Sequence, residues 1–239
     1  MSLKVVSINI EGDKHLDIVA DFLAREQADI VCLMEVCQKD VLQIAGQRYP
    51  FVVFAPNDVL GNIDGKEGLE PTGVAILSKE IALNVEKEYF GEKPRKDIVE
   101  RGSGSHAPVM LTATFGRIRL AALHFTWTKK GRVSIEQTNH LERLLQLLEG
   151  KELLMCGDFN IPRGNENYFK LARKYKDNIP KDIQSTLDPI LHYANQAEAG
   201  KLKLVVDYVF STTKYKVSEV RVVSGVSDHC AIVCTISLV

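Results

Sequence analysis

The sequence has no uninterrupted apolar run of the eighteen or so residues that a membrane-spanning helix requires. It also opens without the basic, apolar and cleavable segments of a secretory leader. Its 239 residues are 45% hydrophobic and 26% charged, a composition typical of a globular protein that can bury a sizeable core. We therefore expect neither a membrane span nor a secretory leader.

Cysteine is scarce and shows no pairing pattern. The five cysteines are odd in number, and no two of them form a C-x-x-C motif. Most lie in or beside apolar runs, where a free cysteine behaves as a small core residue. The pattern argues against a disulfide framework and against a structural zinc site. It favours a reducing compartment, and we predict the cytoplasm.

The sequence also lacks a basic excess, because 30 lysines and arginines face 31 acidic residues and leave a formal net charge of −1. Proteins that bind nucleic acid without sequence preference usually show a basic excess or a basic stripe. The run Lys129-Lys130-Gly131-Arg132 is a local candidate for a stripe, and its alternative is an ordinary solvated loop. Charge thus permits a nucleic-acid substrate without favouring one.

Several catalytic signatures are missing as well. The sequence contains no phosphate-binding G-x-x-x-x-G-K-[ST] loop and no G-x-S-x-G nucleophile elbow. It contains neither H-E-x-x-H nor G-x-G-x-x-G. Any chemistry must therefore come from side chains that are distributed along the chain.

Short apolar and β-branched segments dominate the chain and predict strands. In order they are "LKVVSINI", "DIVCLMEV", "FVVFA", "TGVAILS", "ALNVEKEYF", "APVMLTATF", "RIRLAALHF", "ELLMC", "LKLVVDYVF", "YKVSEVRVV" and "CAIVCTISLV". Apolar residues at helical spacing predict helices over residues 14–27 and 133–149, and a short helix over 165–176. The segments 57–71 and 91–106 are predicted loops, and 178–200 is predicted to be irregular.

The order of these elements predicts the architecture. We find neither an internal repeat nor a linker, which predicts a single domain over residues 1–239. Strands outnumber helices, and helices are interposed in each half of the chain. Two sheets packed face to face with helices outside would bury both kinds of apolar face. The predicted fold class is therefore α+β, built on two packed sheets.

Polar residues that can bind a metal or a phosphate lie at the ends of several predicted strands. The set comprises Asn9, Glu11, Glu35, His124, Asp158, Asn160, Asp207, Asp228 and His229. Neighbouring strands lie about 4.8 Å apart, so these side chains can converge at one edge of the sheets. Each residue alone has a structural alternative, such as a turn residue, a solvated carboxylate or a core histidine. Taken together, they favour a functional site.

The chemistry of this set also indicates a metal. Asp158 and Asn160 are two residues apart, and their side chains share one face if the backbone stays extended. Carboxylate and carboxamide ligands without thiolates suit Mg²⁺ or Mn²⁺ better than zinc. We therefore expect Mg²⁺ as the cofactor, with Mn²⁺ as a substitute.

In this order, the segments "SINIEG", "DIVCLMEV", "LHFTW", "CGDFN", "VVDYVF" and "VSDHC" resemble those of the endonuclease/exonuclease/phosphatase superfamily. The resemblance runs from residue 3 to about residue 238. It implies a four-layer α/β/β/α sandwich of two packed, mainly antiparallel sheets with helices outside. It also implies metal-dependent hydrolysis of a phosphate ester.

The resemblance assigns roles at the metal and at the attacking water. Glu35 resembles the principal metal-binding carboxylate, and Asp228 a second carboxylate associated with the metal. Asn9 resembles a residue that holds the metal or the phosphate. Asp158 resembles the residue that orients or deprotonates water, and Asn160 one that positions that water or the phosphate.

The resemblance also implies a phosphate-binding group. His229 resembles the phosphate-contacting histidine, and Asp207 is the aspartate expected to hold it. His124 matches a position where some branches have histidine and others tyrosine, and we expect it to contact the phosphate as well. The sequence departs from many relatives at Ile8, which replaces an aromatic residue, so no branch of the family is assigned.

These residues predict a Mg²⁺- or Mn²⁺-dependent phosphoesterase, with phosphodiester hydrolysis favoured over phosphomonoester hydrolysis. The substrate is left open between nucleic acid and a small-molecule or lipid phosphoester, and the near-neutral charge slightly favours the latter. The alternative from another class is a non-catalytic binding scaffold that retains the fold. Glu35, Asp158 and His229 are all present, which ranks that alternative below an enzyme. A monomer is the default expectation.

Overall fold

The computed structural model of the protein describes residues 2–61, 69–92, 107–196 and 202–239. Its strands are β1 (Ser2–Asn9), β2 (Ile30–Cys37), β3 (Phe51–Gly61), β4 (Leu69–Ser78), β5 (Leu83–Tyr89), β6 (Val109–Phe115), β7 (Ile118–His124), β8 (Leu154–Asp158), β9 (Lys176–Asp177), β10 (Asp207–Ser211), β11 (Tyr215–Val223) and β12 (Ala231–Leu238). Its α-helices are α1 (Leu16–Glu26), α2 (Gln38–Ala45), α3 (Ile135–Leu147), α4 (Glu166–Ala172) and α5 (Tyr193–Gln196).

The strands form two six-stranded sheets. The first sheet has the order β11-β12-β1-β2-β4-β3, and the second has the order β5-β6-β7-β8-β10-β9. Each sheet is mainly antiparallel and contains one parallel pair, β1 with β2 in the first and β7 with β8 in the second. The two parallel pairs occupy the centres of their sheets, where the candidate site residues end their strands.

The two sheets pack face to face, because one apolar cluster contains residues of both. In β2, Ile30, Cys32 and Met34 belong to this intersheet core, whereas Val31 and Leu33 belong to a second cluster with α1 and α2. Successive side chains of a strand point to opposite faces, so β2 is buried on both sides. Burial on both sides explains why its sequence is a continuous apolar run rather than an alternating one.

The helices complete the outer layers. Val19 and Phe22 of α1 pack on the outer face of the first sheet. Leu141 and Leu144 of α3 and Leu171 of α4 belong to the apolar cluster that contains the second sheet. The predicted four-layer α/β/β/α sandwich is confirmed. Among the described residues, no helix is both long and apolar enough to cross a membrane.

The main difference from the predicted elements is helix α2, which was not expected. It begins directly after β2, and no turn residue separates the two elements in the sequence. Only one side of this short helix is buried, through Val41 and Ile44. It ends at Gly46, whose φ of 51° is easily reached only by glycine.

The loop predictions are partly wrong. The segment 57–71 was expected to be a loop, yet β3 continues to Gly61 and β4 begins at Leu69. A change of register between Pro56 and Asp58 lets the hairpin accommodate the proline. Residues 62–68, and residues 93–106 of the predicted loop 91–106, lie outside the described part of the chain.

The strand predicted at "LKLVVDYVF" begins later than expected. Residues 202–206 are not in a strand, and β10 starts only at Asp207. The backbone of the earlier residues bonds to the neighbouring loop instead: the Val206 N–H donates to Thr186 Oγ1, and the Thr186 N–H donates to the Leu204 carbonyl. Within the predicted irregular segment 178–200, the short helix α5 forms.

Candidate active site

Glu35 reaches the site through an irregularity in β2. The pairing of β2 with β4 changes register between Leu33 and Val36, and Glu35 has a positive φ of 55°. A positive φ is uncommon for a residue with a side chain, and a bulge of this kind re-aims the side chain that it carries. The carboxylate of Glu35 is consequently 35% exposed in a strand that is otherwise buried.

Asn9 connects the carboxylates of the two sheets. It ends β1, and its Nδ2 donates to Glu35 Oε1 at 3.0 Å and to Asp158 Oδ2 at 3.1 Å. Its Oδ1 accepts a hydrogen bond from the Glu11 N–H at 3.2 Å. The amide therefore holds Glu35 and Asp158 together across the gap between the sheets. The prediction that Asn9 binds a metal stays a prediction.

Asp158 ends β8, and the glycine before it allows the close packing of this strand end. A Cβ on Gly157 would lie 2.0 Å from the carbonyl oxygen of Leu123, and Gly157 has a φ of 141°. No residue with a side chain fits that position without moving the backbone. The Phe125 N–H in turn donates to the Asp158 carbonyl at 2.8 Å. These contacts fix Asp158 against the end of β7.

Asn160 completes this turn and orients Asp158. Its backbone N–H donates to Asp158 Oδ1 at 2.8 Å, and its Nδ2 donates to the Phe125 carbonyl at 3.0 Å. Its φ of 51° lies in the left-handed region, which asparagine tolerates better than most residues. Gln137 of α3 donates to the Asn160 carbonyl at 2.9 Å. Only Oδ2 of Asp158 is thereby left to face the other site residues.

His124 ends β7 directly opposite Asp158. Its Nε2 lies 3.5 Å from Glu35 Oε1 and 3.8 Å from Asp158 Oδ2. On the other side of the ring, Asn57 Nδ2 lies 3.1 Å from Nδ1. Because the amide donates to Nδ1, the proton of a neutral His124 is on Nε2, which faces the two carboxylates.

His229 is held by Asp207. Nδ1 of His229 lies 2.9 Å from Asp207 Oδ2, and Nε2 lies 3.8 Å from Asp158 Oδ2. Asp207 begins β10 opposite Asp158, and its N–H donates to Thr186 Oγ1 at 3.1 Å. Thr186 also accepts the Cys230 N–H on its carbonyl at 2.7 Å. One buried threonine therefore bonds the backbone of Asp207 and of Cys230, the residue that follows His229.

The carboxylates and histidines of this cluster shift one another's pKa values. Burial raises the pKa of Asp158, and the carboxylate of Asp207 raises it further, against the opposing effect of the two histidines. Burial alone would lower the pKa of His229, but the carboxylates of Asp207, Asp158 and Asp228 raise it well above its ordinary value. These carboxylates therefore favour the imidazolium form of His229.

Asp228 lies beside His229, and its burial disfavours the charged carboxylate. It is 6% exposed, and its Oδ1 accepts a hydrogen bond from Ser227 Oγ at 3.1 Å. Burial raises the pKa of Asp228 to about 7 against the opposing effect of His229, and the nearby carboxylates of Glu11 and Glu35 contribute to the rise. This position stabilises positive charge placed near it.

The structure brings together all the candidate residues, but as two overlapping groups. Ligand atoms of Asp158, Asp207 and His229 lie within 4.8 Å of one another, and so do those of His192, Asp228 and His229. Glu35 joins through Asn9 and His124, while Glu11 contacts Lys14 and His15 at the rim. The sequence analysis missed three buried residues of this region: Asn57, Thr186 and His192.

The sequence contains little that could have indicated these three residues. Asn57 falls in a segment predicted as a loop, and it reaches His124 only because β3 continues past Pro56. Thr186 and His192 lie in a segment without periodicity, and Thr186 is placed by hydrogen bonds to backbone groups that are distant in the sequence. Residues that loop contacts place in a site do not lie at the ends of predicted strands, so the sequence pattern does not indicate them.

The donor set fits a hard divalent cation. Several carboxylates face one another, and within the described residues Oδ1 of Asp207 is buried without a hydrogen-bond partner. Burial raises the pKa of Asp228 even beside His229, so a cation placed nearby would offset the cost of its charge. Oxygen-rich sites without thiolates suit Mg²⁺ or Mn²⁺, and the clustered carboxylates of Asp158 and Asp207 and the nearby carboxylate of Asp228 are oxygen donors of this kind.

The fold and the site together define a class: a sandwich of two sheets whose carboxylates, amides and imidazoles meet where the central strands end. The sequence model of the endonuclease/exonuclease/phosphatase family matches residues 6–229. The chain belongs to this family, whose named activities all cleave phosphate esters. No curated protein matches the chain.

Solved structures of similar fold cover the whole chain at low sequence identity. A conserved protein from Enterococcus faecalis V583 has a TM-score of 0.72 at 16% identity, covering 99% of this chain and 100% of its own. The human Nocturnin catalytic domain with bound sulfate has a TM-score of 0.70 at 20% identity, with coverages of 100% and 94%. A mannosyl-6-phosphatase from Bacteroides thetaiotaomicron VPI-5482 has a TM-score of 0.68 at 15% identity, with coverages of 99% and 99%. At these identities, the likeness demonstrates a shared fold.

Proposed function

We propose that the protein is a Mg²⁺-dependent phosphoesterase, with Mn²⁺ as a substitute metal, that hydrolyses its substrate with water. One observation carries the proposal: Oδ2 of Asp158 is approached by Asn9 Nδ2 at 3.1 Å and by a nitrogen of His124 and of His229, each at 3.8 Å. These residues come from both sheets and from distant parts of the sequence. A structural role would not require this convergence on one carboxylate oxygen.

Glu35 and Asp228 are the proposed metal ligands. When bound, Mg²⁺ would polarise a phosphoryl oxygen and offset the charge that builds up in the transition state. Asn9 keeps the Glu35 carboxylate in place through its hydrogen bond at 3.0 Å. Removing Glu35 should therefore remove metal affinity, whereas Asn9 acts mainly by positioning that carboxylate.

Asp158 is the proposed partner of the attacking water. Each of its oxygens accepts one hydrogen bond, Oδ1 from the Asn160 N–H and Oδ2 from Asn9, but only Oδ2 also faces the two histidines, so Oδ2 is the oxygen placed to orient water or accept a proton. The raised pKa of Asp158 makes the carboxylate a better base than an exposed aspartate. Asn160 positions this group and the phosphate-binding end of the site.

His229 and His124 are the proposed phosphate-binding donors. The imidazolium of His229, held by Asp207 at 2.9 Å, donates from Nε2 and adds positive charge where the phosphate gains negative charge. His124 donates from Nε2 because Asn57 occupies Nδ1. Such preorganised donors stabilise the transition state without rearranging during the reaction.

For the substrate, we propose a phosphodiester before a phosphomonoester, either in nucleic acid or in a small molecule or lipid. The basic run at 129–132 lies mostly exposed on a 3-10 turn, and Gly131 lies against Pro162, two residues after Asn160. We further propose a monomeric, single-domain enzyme of the cytoplasm. All five cysteines are buried and unpaired, which suits a reducing compartment.

The test is a hydrolysis assay with Mg²⁺, Mn²⁺ or EDTA on a generic phosphodiester, a generic phosphomonoester and a nicked or abasic DNA duplex. Glu35→Ala and His229→Ala are the matched variants. Metal-dependent turnover that both variants lose would support the proposal, and the preferred substrate would identify the branch. Equal, background-level rates for wild type and variants on every substrate would favour a non-catalytic scaffold.

A further inference from the structure

His192 is a third histidine beside the phosphate-binding group, and none of the proposed roles uses it. It is 6% exposed, and its ring centroid lies 6.0 Å from that of His229. One of its ring nitrogens lies within 4.8 Å of a nitrogen of His229 and of a carboxylate oxygen of Asp228. The side chain is therefore buried at the edge of the candidate active site.

The loop that carries His192 is fixed to the segment that carries Asp228 and His229. Oδ1 of Asp188 accepts the N–H groups of Ile190 and Leu191 at 2.8 Å each, and Oδ2 accepts the Gly225 N–H at 2.6 Å. The Asp188 N–H donates to the Asp228 carbonyl at 2.8 Å. These bonds preorganise His192 relative to the site.

Hydrogen bonding also fixes the tautomer of His192. The Ala194 N–H donates to Nδ1 of His192 at 3.3 Å, so Nδ1 is unprotonated. The proton of the neutral ring is then on Nε2. Within the described residues, Nε2 has no hydrogen-bond partner. The Nε2–H of His192 is therefore available to an acceptor oxygen of a ligand.

We propose that His192 is a further substrate-binding residue, whose Nε2–H donates to an oxygen of the same phosphate group that His229 binds. The inference rests on the proposed function and deepens it. A hydrogen-bonded phosphate oxygen lies about 2.9 Å from its donor nitrogen. A ring nitrogen of His192 lies within 4.8 Å of a ring nitrogen of His229, so one phosphate group can contact both rings.

The same geometry disfavours His192 as a metal ligand. A nitrogen that carries a proton has no lone pair for a metal, and moving the proton to Nδ1 would break the bond from Ala194. A phosphate-binding role and a metal-binding role for His192 therefore predict different results. Loss of His192 should weaken phosphate binding and leave metal affinity unchanged.

The experiment measures the affinity of the full-length protein for inorganic phosphate in the presence of Mg²⁺, and separately for Mg²⁺ alone, by titration calorimetry. His192→Ala should weaken phosphate binding about tenfold to a hundredfold, as expected for a hydrogen bond to a charged group. His192→Gln, which can place a donor near the position of Nε2, should recover part of that loss. Thermal unfolding of both variants checks that the fold is intact.

Two results would overturn the assignment: unchanged phosphate affinity in His192→Ala, or a loss of Mg²⁺ affinity that makes His192 a ligand. Glu35→Ala tests the proposed function separately, because it should lose Mg²⁺ affinity whatever His192 does. If wild type binds neither Mg²⁺ nor phosphate, the proposed function fails and the inference fails with it.

Discussion

Replacing Asp228 by asparagine should stabilise the metal-free protein, although it removes a proposed metal ligand. The pKa of Asp228 is about 7 in the folded protein and 3.8 ordinarily, because the carboxylate is buried near Glu11 and Glu35. A raised carboxyl pKa favours folding below about pH 4, and this contribution is lost as the pH rises through 7. Each tenfold change in proton affinity corresponds to about 1.4 kcal/mol, so the ionised carboxylate costs about 4 kcal/mol at pH 8.

The stabilisation expected from Asp228→Asn depends on pH. In the presence of EDTA, Asp228→Asn should raise the free energy of unfolding by about 4 kcal/mol at pH 8 and by only about 1.5 kcal/mol at pH 5. Urea denaturation at both pH values measures the change, and the exposed Asp182→Asn serves as a control. Added Mg²⁺ should stabilise the wild type and leave the variant unchanged. A variant less stable than the wild type at pH 8 without metal would refute the reasoning.

Three further substitutions test the contacts that shape the site. Gly157→Ala should cost about 3 kcal/mol or more in thermal unfolding, because its Cβ would lie 2.0 Å from the Leu123 carbonyl oxygen. Thr186→Val should cost about 2 kcal/mol in urea denaturation, because two buried backbone N–H groups lose their acceptor. Asn57→Leu should lower kcat/KM about tenfold, because the tautomer of His124 is no longer fixed.

Matched control substitutions separate the loss of these specific contacts from a general loss of stability. Gly150 also has a positive φ, of 70°, but nothing lies within 4 Å of its Cβ position, so Gly150→Ala should cost only about 1 kcal/mol. Thr186→Ser keeps the hydroxyl and should stay close to wild type. The account of Asn57 is contradicted if Asn57→Leu retains full kcat/KM at unchanged stability.

The strands could be predicted from the sequence because their apolar runs result directly from the burial of their faces. In β2, the apolar residues Ile30 to Met34 fill cores on both faces of one sheet, and a continuous apolar run is the sequence consequence of that burial. The polar residues that end such strands, among them His124 and Asp158, were visible for the same reason. Buried strands leave few positions where a polar side chain is tolerated.

The features that the sequence did not predict depend on contacts between segments that are distant along the chain, and no local sequence pattern indicates such contacts. The bulge at Glu35 arises from the pairing of β2 with β4, and the segment before β10 is held by Thr186 from a loop. His192 is placed by Asp188, whose carboxylate bonds to Gly225. Each of these arrangements joins segments that are far apart in the sequence. Only the folded chain shows them.

The most direct test of the central claim is turnover of a generic phosphodiester by wild type and by Asp158→Asn, each with saturating Mg²⁺ and with EDTA. Asparagine keeps the size of Asp158 but is not a base, so metal binding measured by calorimetry should persist. The account predicts Mg²⁺-dependent turnover in wild type and a loss of at least about a hundredfold in the variant. Equal turnover of the two proteins, or turnover that persists in EDTA, would contradict it.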